Sequence, residues 1–185
     1  MNRELILQYF LEYLRTPFSL HLNSFQLFEK EGVAEIALNI LENDEDLSIS
    51  GNGVGLVDAG FNALMEHYGT TYTSLSTIQL SDLYFQVDHK SSARLSLKSK
   101  TLMKLEFRND SKDKTFFSER TTSIGFTGVS VLVKAFEFYV NCELLFKRLK
   151  FLIGDADARG RGDVASKYRY ELSKVVEVTS YKSVK

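Results

Sequence analysis

Hydrophobic periodicity in this chain switches from 2 to 3.6 residues twice, in the same order, and that constrains the fold more than any single motif. Val33 to Leu41 sets Ala34, Ile36, Leu38 and Ile40 on one side and Glu35, Ala37 and Asn39 on the other, the alternation of a half-buried strand. Phe18 to Phe28 is rich in β-formers and pairs with it around Glu31-Gly32. Beyond a polar turn at Asn43-Asp44-Glu45-Asp46, Leu47-Ser48-Ile49-Ser50 makes a third, short strand, and Leu56, Val57, Phe61, Leu64 and Tyr68 then recur at helical spacing. The order returns. Ile78 to Val87, Leu102 to Asn109 and Phe116 to Ser123 read as strands, and Gly125 and Gly128 interrupt the chain before a long helix bearing Val129, Leu132, Val133, Phe136, Val140 and Leu144. Two β-β-β-α units, residues 18–69 and 76–153, make an α+β domain of antiparallel sheets with helices on one face and pseudo-two-fold symmetry. The repeat is one of pattern rather than of residues.

The junction of strand and helix in the first unit is dense in glycine. Gly51, Gly53 and Gly55 permit positive φ and close approach to a ligand. A helix opening there presents unpaired N–H groups and a partial positive charge to a carboxylate or phosphate. The plainer alternative is a tight strand-to-helix connection. Gly51-Asn52-Gly53-Val54-Gly55-Leu56-Val57-Asp58-Ala59, followed by Phe61-Asn62-Ala63-Leu64, resembles the Gly-Asn-Gly-Pro-Val-Asp-Ala signature of the C-terminal regulatory domain of 2-isopropylmalate and citramalate synthases. Val54-Gly55-Leu56 stands where that family has one proline. Leu132 to Asn141 is similar to the family's last helix, whereas Asp88-His89-Lys90-Ser91-Ser92-Ala93-Arg94 and the lysine-rich run to Lys100, expected to be a surface loop, replace its Gly-Gly-x-Asp-Ala stretch.

The resemblance, which spans roughly residues 18–145, implies a homodimeric module that senses leucine or isoleucine. In that picture N–H groups around Asn52, Gly53 and Gly55 receive the effector's carboxylate, and Asp58 or Asp82 meets its ammonium. Leu56, Val57 and Phe61, with Ile78, Leu80 and Leu83 of the next strand, enclose the aliphatic side chain. Each aspartate also has a plain role, Asp58 as a first-turn carboxylate against the helix dipole and Asp82 as a charge at a strand edge. The alternatives are a dimerisation or protein-interaction module without an effector, serving a separately encoded catalytic synthase subunit, or a piece of a longer synthase. The family's catalytic barrel takes about 250 residues. This chain has 185, too few to hold it.

No convergent catalytic or metal motif stands out, so no enzyme and no cofactor is expected. His21, His67 and His89 lack metal-type spacing, and there is no Gly-x-Ser-x-Gly or Gly-Lys-Ser/Thr segment. A net charge of −1, with lysine and arginine spread along the chain, argues against a nucleic-acid surface. Cys142 is the single cysteine, which points to a reducing, cytoplasmic setting. Residues 2–15 place Leu5, Ile6, Tyr9, Phe10, Tyr13 and Leu14 on one helical face, with Asn2 as N-cap and Pro17 as terminator. Gln8, Glu12 and Arg15 interrupt that run, so it is neither an export signal nor a membrane span; it packs on its own domain or on a partner. At residues 154–163 a charged, glycine-rich breaker is expected. Asp155, Asp157 and Gly160 fit a calcium loop, but Arg159 and Ser166 do not. Arg161-Gly162-Asp163 reads as a solvated turn, followed by a short helix carrying Tyr168, Leu172, Val175 and Val176.

Overall fold

The computed structural model describes residues 3–87 and 99–181. Asn2 and the lysine-rich segment through Lys98, His89 included, lie outside the described residues. Helix α1 (Arg3–Tyr13) leads to strands β1 (Leu20–Lys30), β2 (Val33–Glu42) and β3 (Glu45–Gly53) and helix α2 (Leu56–Tyr68). A short 3-10 turn (Thr73–Thr77) then enters β4 (Ile78–Val87), β5 (Thr101–Asn109), β6 (Lys114–Thr121), α3 (Ile124–Ala158) and α4 (Gly162–Thr179). Each trio of strands is an antiparallel meander, in the order β1-β2-β3 and β4-β5-β6. The chain is therefore α+β, with the β-β-β-α order present twice.

Local chemistry explains the hairpins. Glu31 and Gly32 (φ 52° and 80°) join β1 to β2, and Asn43 and Asp44 (φ 50° and 70°) join β2 to β3. Both are two-residue turns with positive φ at each position, the twist that antiparallel strands favour. The polar turn thus shrinks from four residues to two, and β3 is a nine-residue strand rather than a four-residue one. Gly51 and Gly53 belong to that strand.

Helix α3 is the centre of the molecule. It runs for 35 residues, about 50 Å at 1.5 Å per residue. It packs against β1 of one sheet, β5 and β6 of the other, and α1, α2 and α4. Residues 138–143 are buried in an unbroken run, so its middle is enclosed on every side. Phe136, Tyr139, Leu132, Leu145 and Leu149 fill that space, with Leu38, Ile40 and Phe107 reaching it from the sheets.

Three polar side chains on this enclosed helix hold the chain where it enters each sheet. Asn141 accepts a hydrogen bond from the Phe18 N–H (2.8 Å) and donates to the Phe18 carbonyl (2.7 Å). Glu137 accepts from the Leu20 N–H at 2.9 Å. Glu143, paired with Lys147 at 2.7 Å, accepts from the Ser74 N–H at 2.9 Å. The first two fix the start of β1 and the third fixes the approach to β4. Such bonds are decisive because a backbone group buried without a partner costs more than a typical made bond contributes.

Two expectations about the termini are corrected. The breaker does not begin at residue 154: α3 continues through Gly154 to Ala158, and the break is confined to Arg159–Arg161, with Gly160 at φ 68°. Arg161 is the N-cap of α4, and Gly162 and Asp163 are its first residues, so the triplet begins a helix of 18 residues instead of forming a solvated turn. Tertiary contacts override the local glycine content here. Asp157 pairs with Arg169 of α4 at 2.6 Å, and the Phe146 and Tyr181 rings meet edge-on at 4.8 Å. Helix α1 lies on its own chain, with Phe10 against Phe138 (5.5 Å) and Tyr13 against Tyr168 (5.8 Å). Among the described residues no helix is long and apolar enough to cross a membrane.

Replacing Asn141 by alanine strands both polar groups of Phe18. We expect a loss of about 3 kcal/mol, or about 6–12 °C in the thermal midpoint of a chain this size, read by calorimetry. Glu137 supplies a pH-dependent counterpart. Burial raises its pKa above the ordinary 4.5, against the lowering effects of the Leu20 N–H, Lys134 and His21. A carboxyl group with a raised folded pKa contributes stability that is complete below its unfolded value and is lost as pH rises through the folded one. Glu137→Gln keeps an acceptor for Leu20. Denaturant titrations should show wild type and variant converging near pH 4 and the variant the more stable at pH 7.

Candidate functional site at the paired helix N-termini

Gly51 and Gly53 serve packing. A Cβ on Gly51 would lie 2.6 Å from the Ala63 nitrogen, and one on Gly53 would lie 2.4 Å from the Ala59 nitrogen and 2.5 Å from Asp58 Oδ2. Strand β3 therefore runs directly against the backbone of α2. Asn62 fastens the two by donating to the Asn52 carbonyl at 2.8 Å. Positive φ has no part in this, which corrects the conformational role expected for the motif: among the described glycines only Gly32 and Gly160 adopt it, and Gly55 is extended at φ −177°.

The start of α2 is open in a specific sense. Gly55 is its N-cap and no side chain caps it, whereas at α3 the Ser123 hydroxyl accepts from the Phe126 N–H. First-turn N–H groups lack intrahelical acceptors. Asp58 accepts from the Val54 N–H at 2.9 Å, so one loop donor is already taken and the carboxylate sits in the first turn, where it offsets the helix dipole. That is the plain role foreseen for this residue.

Helices α2 and α3 lie side by side and run in the same direction. The Leu56 side chain comes within 3.7 Å of a Cβ position on Gly125 and 3.6 Å of one on Gly128. Further along, Leu132 lies 3.1 Å from a Cβ position on Gly60, and the Phe61 and Phe136 rings are 5.6 Å apart. Sequence number rises together on both helices, so their positive ends share one end of the molecule. Gly125 and Gly128 are inside α3, not before it as the sequence suggested. Their spacing of three puts both on one face, which is the signal that marks them as a contact for Leu56.

The expected binding residues divide into two groups. Asn52, Gly53, Gly55, Leu56, Val57 and Asp58 gather at this end, Asn52 exposed and the other five partly buried. Phe61 is one turn deeper, between Phe107 (6.4 Å) and Phe136, as part of the core. Ile78, Leu80, Asp82 and Leu83 belong to β4, the outer strand of the second sheet. The β5 residue beside the paired N-termini is Met103, whose sulfur is 3.2 Å from a Cβ position on Gly128 and whose β4 partner is Phe85. Ile78 is opposite Asn109, six residues further along β5 and so about 20 Å away at 3.4 Å per residue. It is buried near the end of α4, where Asn109 bonds to the Glu177 and Val178 carbonyls. Leu80 is half-buried opposite Phe107, and Leu83 is exposed. Asp82, exposed, turns its carboxylate to the Leu83 N–H at 2.8 Å.

His67, near the C-terminal end of α2, meets the Tyr68 ring edge-on at 4.7 Å. Compared with known proteins, the chain matches no family model and no curated sequence.

Gly53→Ala must force backbone against backbone. Thermal unfolding should show a loss of about 2–3 kcal/mol or more. At Gly55 there is nothing within 4 Å of a Cβ, and Gly55→Ala should cost under about 1 kcal/mol.

Proposed function

We propose that this chain is a non-catalytic regulatory module, related to the effector-sensing domain of 2-isopropylmalate and citramalate synthases, that binds leucine or isoleucine. It works in the cytoplasm as a homodimer and acts on a catalytic synthase subunit. The observation that carries this reading is the parallel packing of α2 and α3, which sets an uncapped helix N-terminus beside a second one. Two positive dipole ends side by side favour a carboxylate more than either alone. Leu56 and Val57, partly buried at that end, offer apolar surface to an aliphatic side chain.

A second reading, a protein-interaction module without effector, is favoured by β4. Residues 81–86 are exposed throughout, Leu83, Tyr84 and Phe85 among them, and Leu27 and Phe28 are exposed on β1 of the first unit. Apolar and aromatic side chains on an outer strand suit a partner surface.

Thermal unfolding against leucine, isoleucine, valine and unrelated amino acids separates the two. At one hundred times its dissociation constant an effector contributes about 2.7 kcal/mol, a rise on the order of 5–10 °C here. The sensor reading expects that rise with one branched amino acid and its loss in Gly55→Asp, which places a carboxylate at the α2 N-terminus. A folded dimer that responds to none of them would leave the interaction module.

A further inference from the structure

A second concave site lies away from the paired N-termini, where α1 crosses the mouth of the groove between β1, β6 and α3. The cleft has a volume of about 610 Å³, within the range of small-molecule sites. Its walls are apolar, with Leu7 and Leu11 from α1, Leu20 from β1, and Phe117 and Phe138 from β6 and α3. Its polar lining is Arg3, His21, Ser118, Lys134, Glu137 and Asn141, the last already bonded to Phe18.

The bonding of Lys134, Arg3 and Glu137 defines what the cleft lacks. Lys134 is paired with Glu119, and its charge is answered. Arg3 is held in place, its guanidinium 4.9 Å above the Phe117 ring and one N–H given to the Phe116 carbonyl at 2.9 Å. Among the described residues the rest of its donor fork is unspent. Glu137 gives one oxygen to the Leu20 N–H, and among the described residues its second oxygen has no hydrogen bond. A half-buried carboxylate and a positioned guanidinium, contributed by different elements, thus border one apolar cavity without being paired to each other.

We propose that this cleft binds a zwitterion with an apolar side chain, an α-amino acid, whose ammonium meets the free oxygen of Glu137 and whose carboxylate meets Arg3. The charge balance selects that class. A simple carboxylic acid would answer Arg3 and leave Glu137 desolvated against an apolar ligand, and a simple amine would do the reverse. Phe117 and Phe138, 5.4 Å apart, give the side chain an aromatic wall. This site depends on α1, which precedes the first β-β-β-α unit, and it does not rest on the role proposed for the helix N-termini.

The test is calorimetric titration of the full chain with L-phenylalanine, 3-phenylpropionate and phenethylamine. L-Phenylalanine should bind, and each half-analogue should bind at least about tenfold more weakly, the factor expected for losing one charge-assisted hydrogen bond. Glu137→Gln retains the Leu20 bond and should weaken L-phenylalanine by a similar factor, as should Arg3→Gln; circular dichroism checks that both fold. Should Arg3→Gln disturb α1, Arg3→Lys keeps the charge without the fork and should still weaken binding. Equal binding of the half-analogues would overturn the proposal, as would no binding of L-phenylalanine at millimolar concentration to folded protein. Gly55→Asp separates the two sites: a response that it abolishes and that Arg3→Gln spares belongs to the helix N-termini, and the cleft is then not the site.

Discussion

A stretch of helix enclosed on every side has no face to spare for polar residues, yet α3 carries Asn141 and Glu143 within its enclosed middle and the half-buried Glu137 at its edge. Each is there because a backbone group elsewhere has no other partner. The carbonyl and N–H of Phe18, the N–H of Leu20 and the N–H of Ser74 all lie outside the strand ladders, at points where the chain turns into a sheet. Once those turns are buried, some side chain must answer them. Among the described residues the two sheets are not hydrogen-bonded to each other and form separate meanders. Their relative placement depends on a helix that packs on both and bonds to the entrance of each.

Much of this was legible in periodicity. The strand alternation at Ala34, Ile36, Leu38 and Ile40 and the helical spacing at Leu132, Phe136 and Val140 gave the right elements, and β4 has the bounds its residues suggest. What could not be read was length where local and tertiary preferences oppose each other. Gly51 and Gly53 look like loop residues, yet β3 keeps them because α2 lies too close for any side chain. Gly154 looks like a stop, but α4 folding back along α3 carries the helix past it. Contacts between segments distant in sequence decide both cases.

The candidate site was legible in part, and for an instructive reason. The stretch from Asn52 to Asp58 is contiguous, so its grouping follows from chain connectivity alone. The residues assigned to β4 depended on which rung of the second sheet faces α2, a matter of register that no local pattern encodes. The cleft beside α1 was missed altogether. Its signal was available in the spacing of Lys134, Glu137 and Asn141, which puts three polar residues along one stripe of an otherwise apolar helix. Polar residues in such a position ask what they face.

The bond between Phe18 and Asn141 spans 123 residues. A ribosome makes both meanders, α2 and the first half of α3 before the residue that anchors Phe18 exists. Until α3 emerges from the exit tunnel, the apolar face of β2 has only α2 to cover it, and the start of β1 is held only by its pairing with β2 and by Asn43. Synthesis at roughly 5–20 residues per second makes that interval several seconds long. The side chain that anchors the entrance to the first sheet is thus made only after every strand of both sheets.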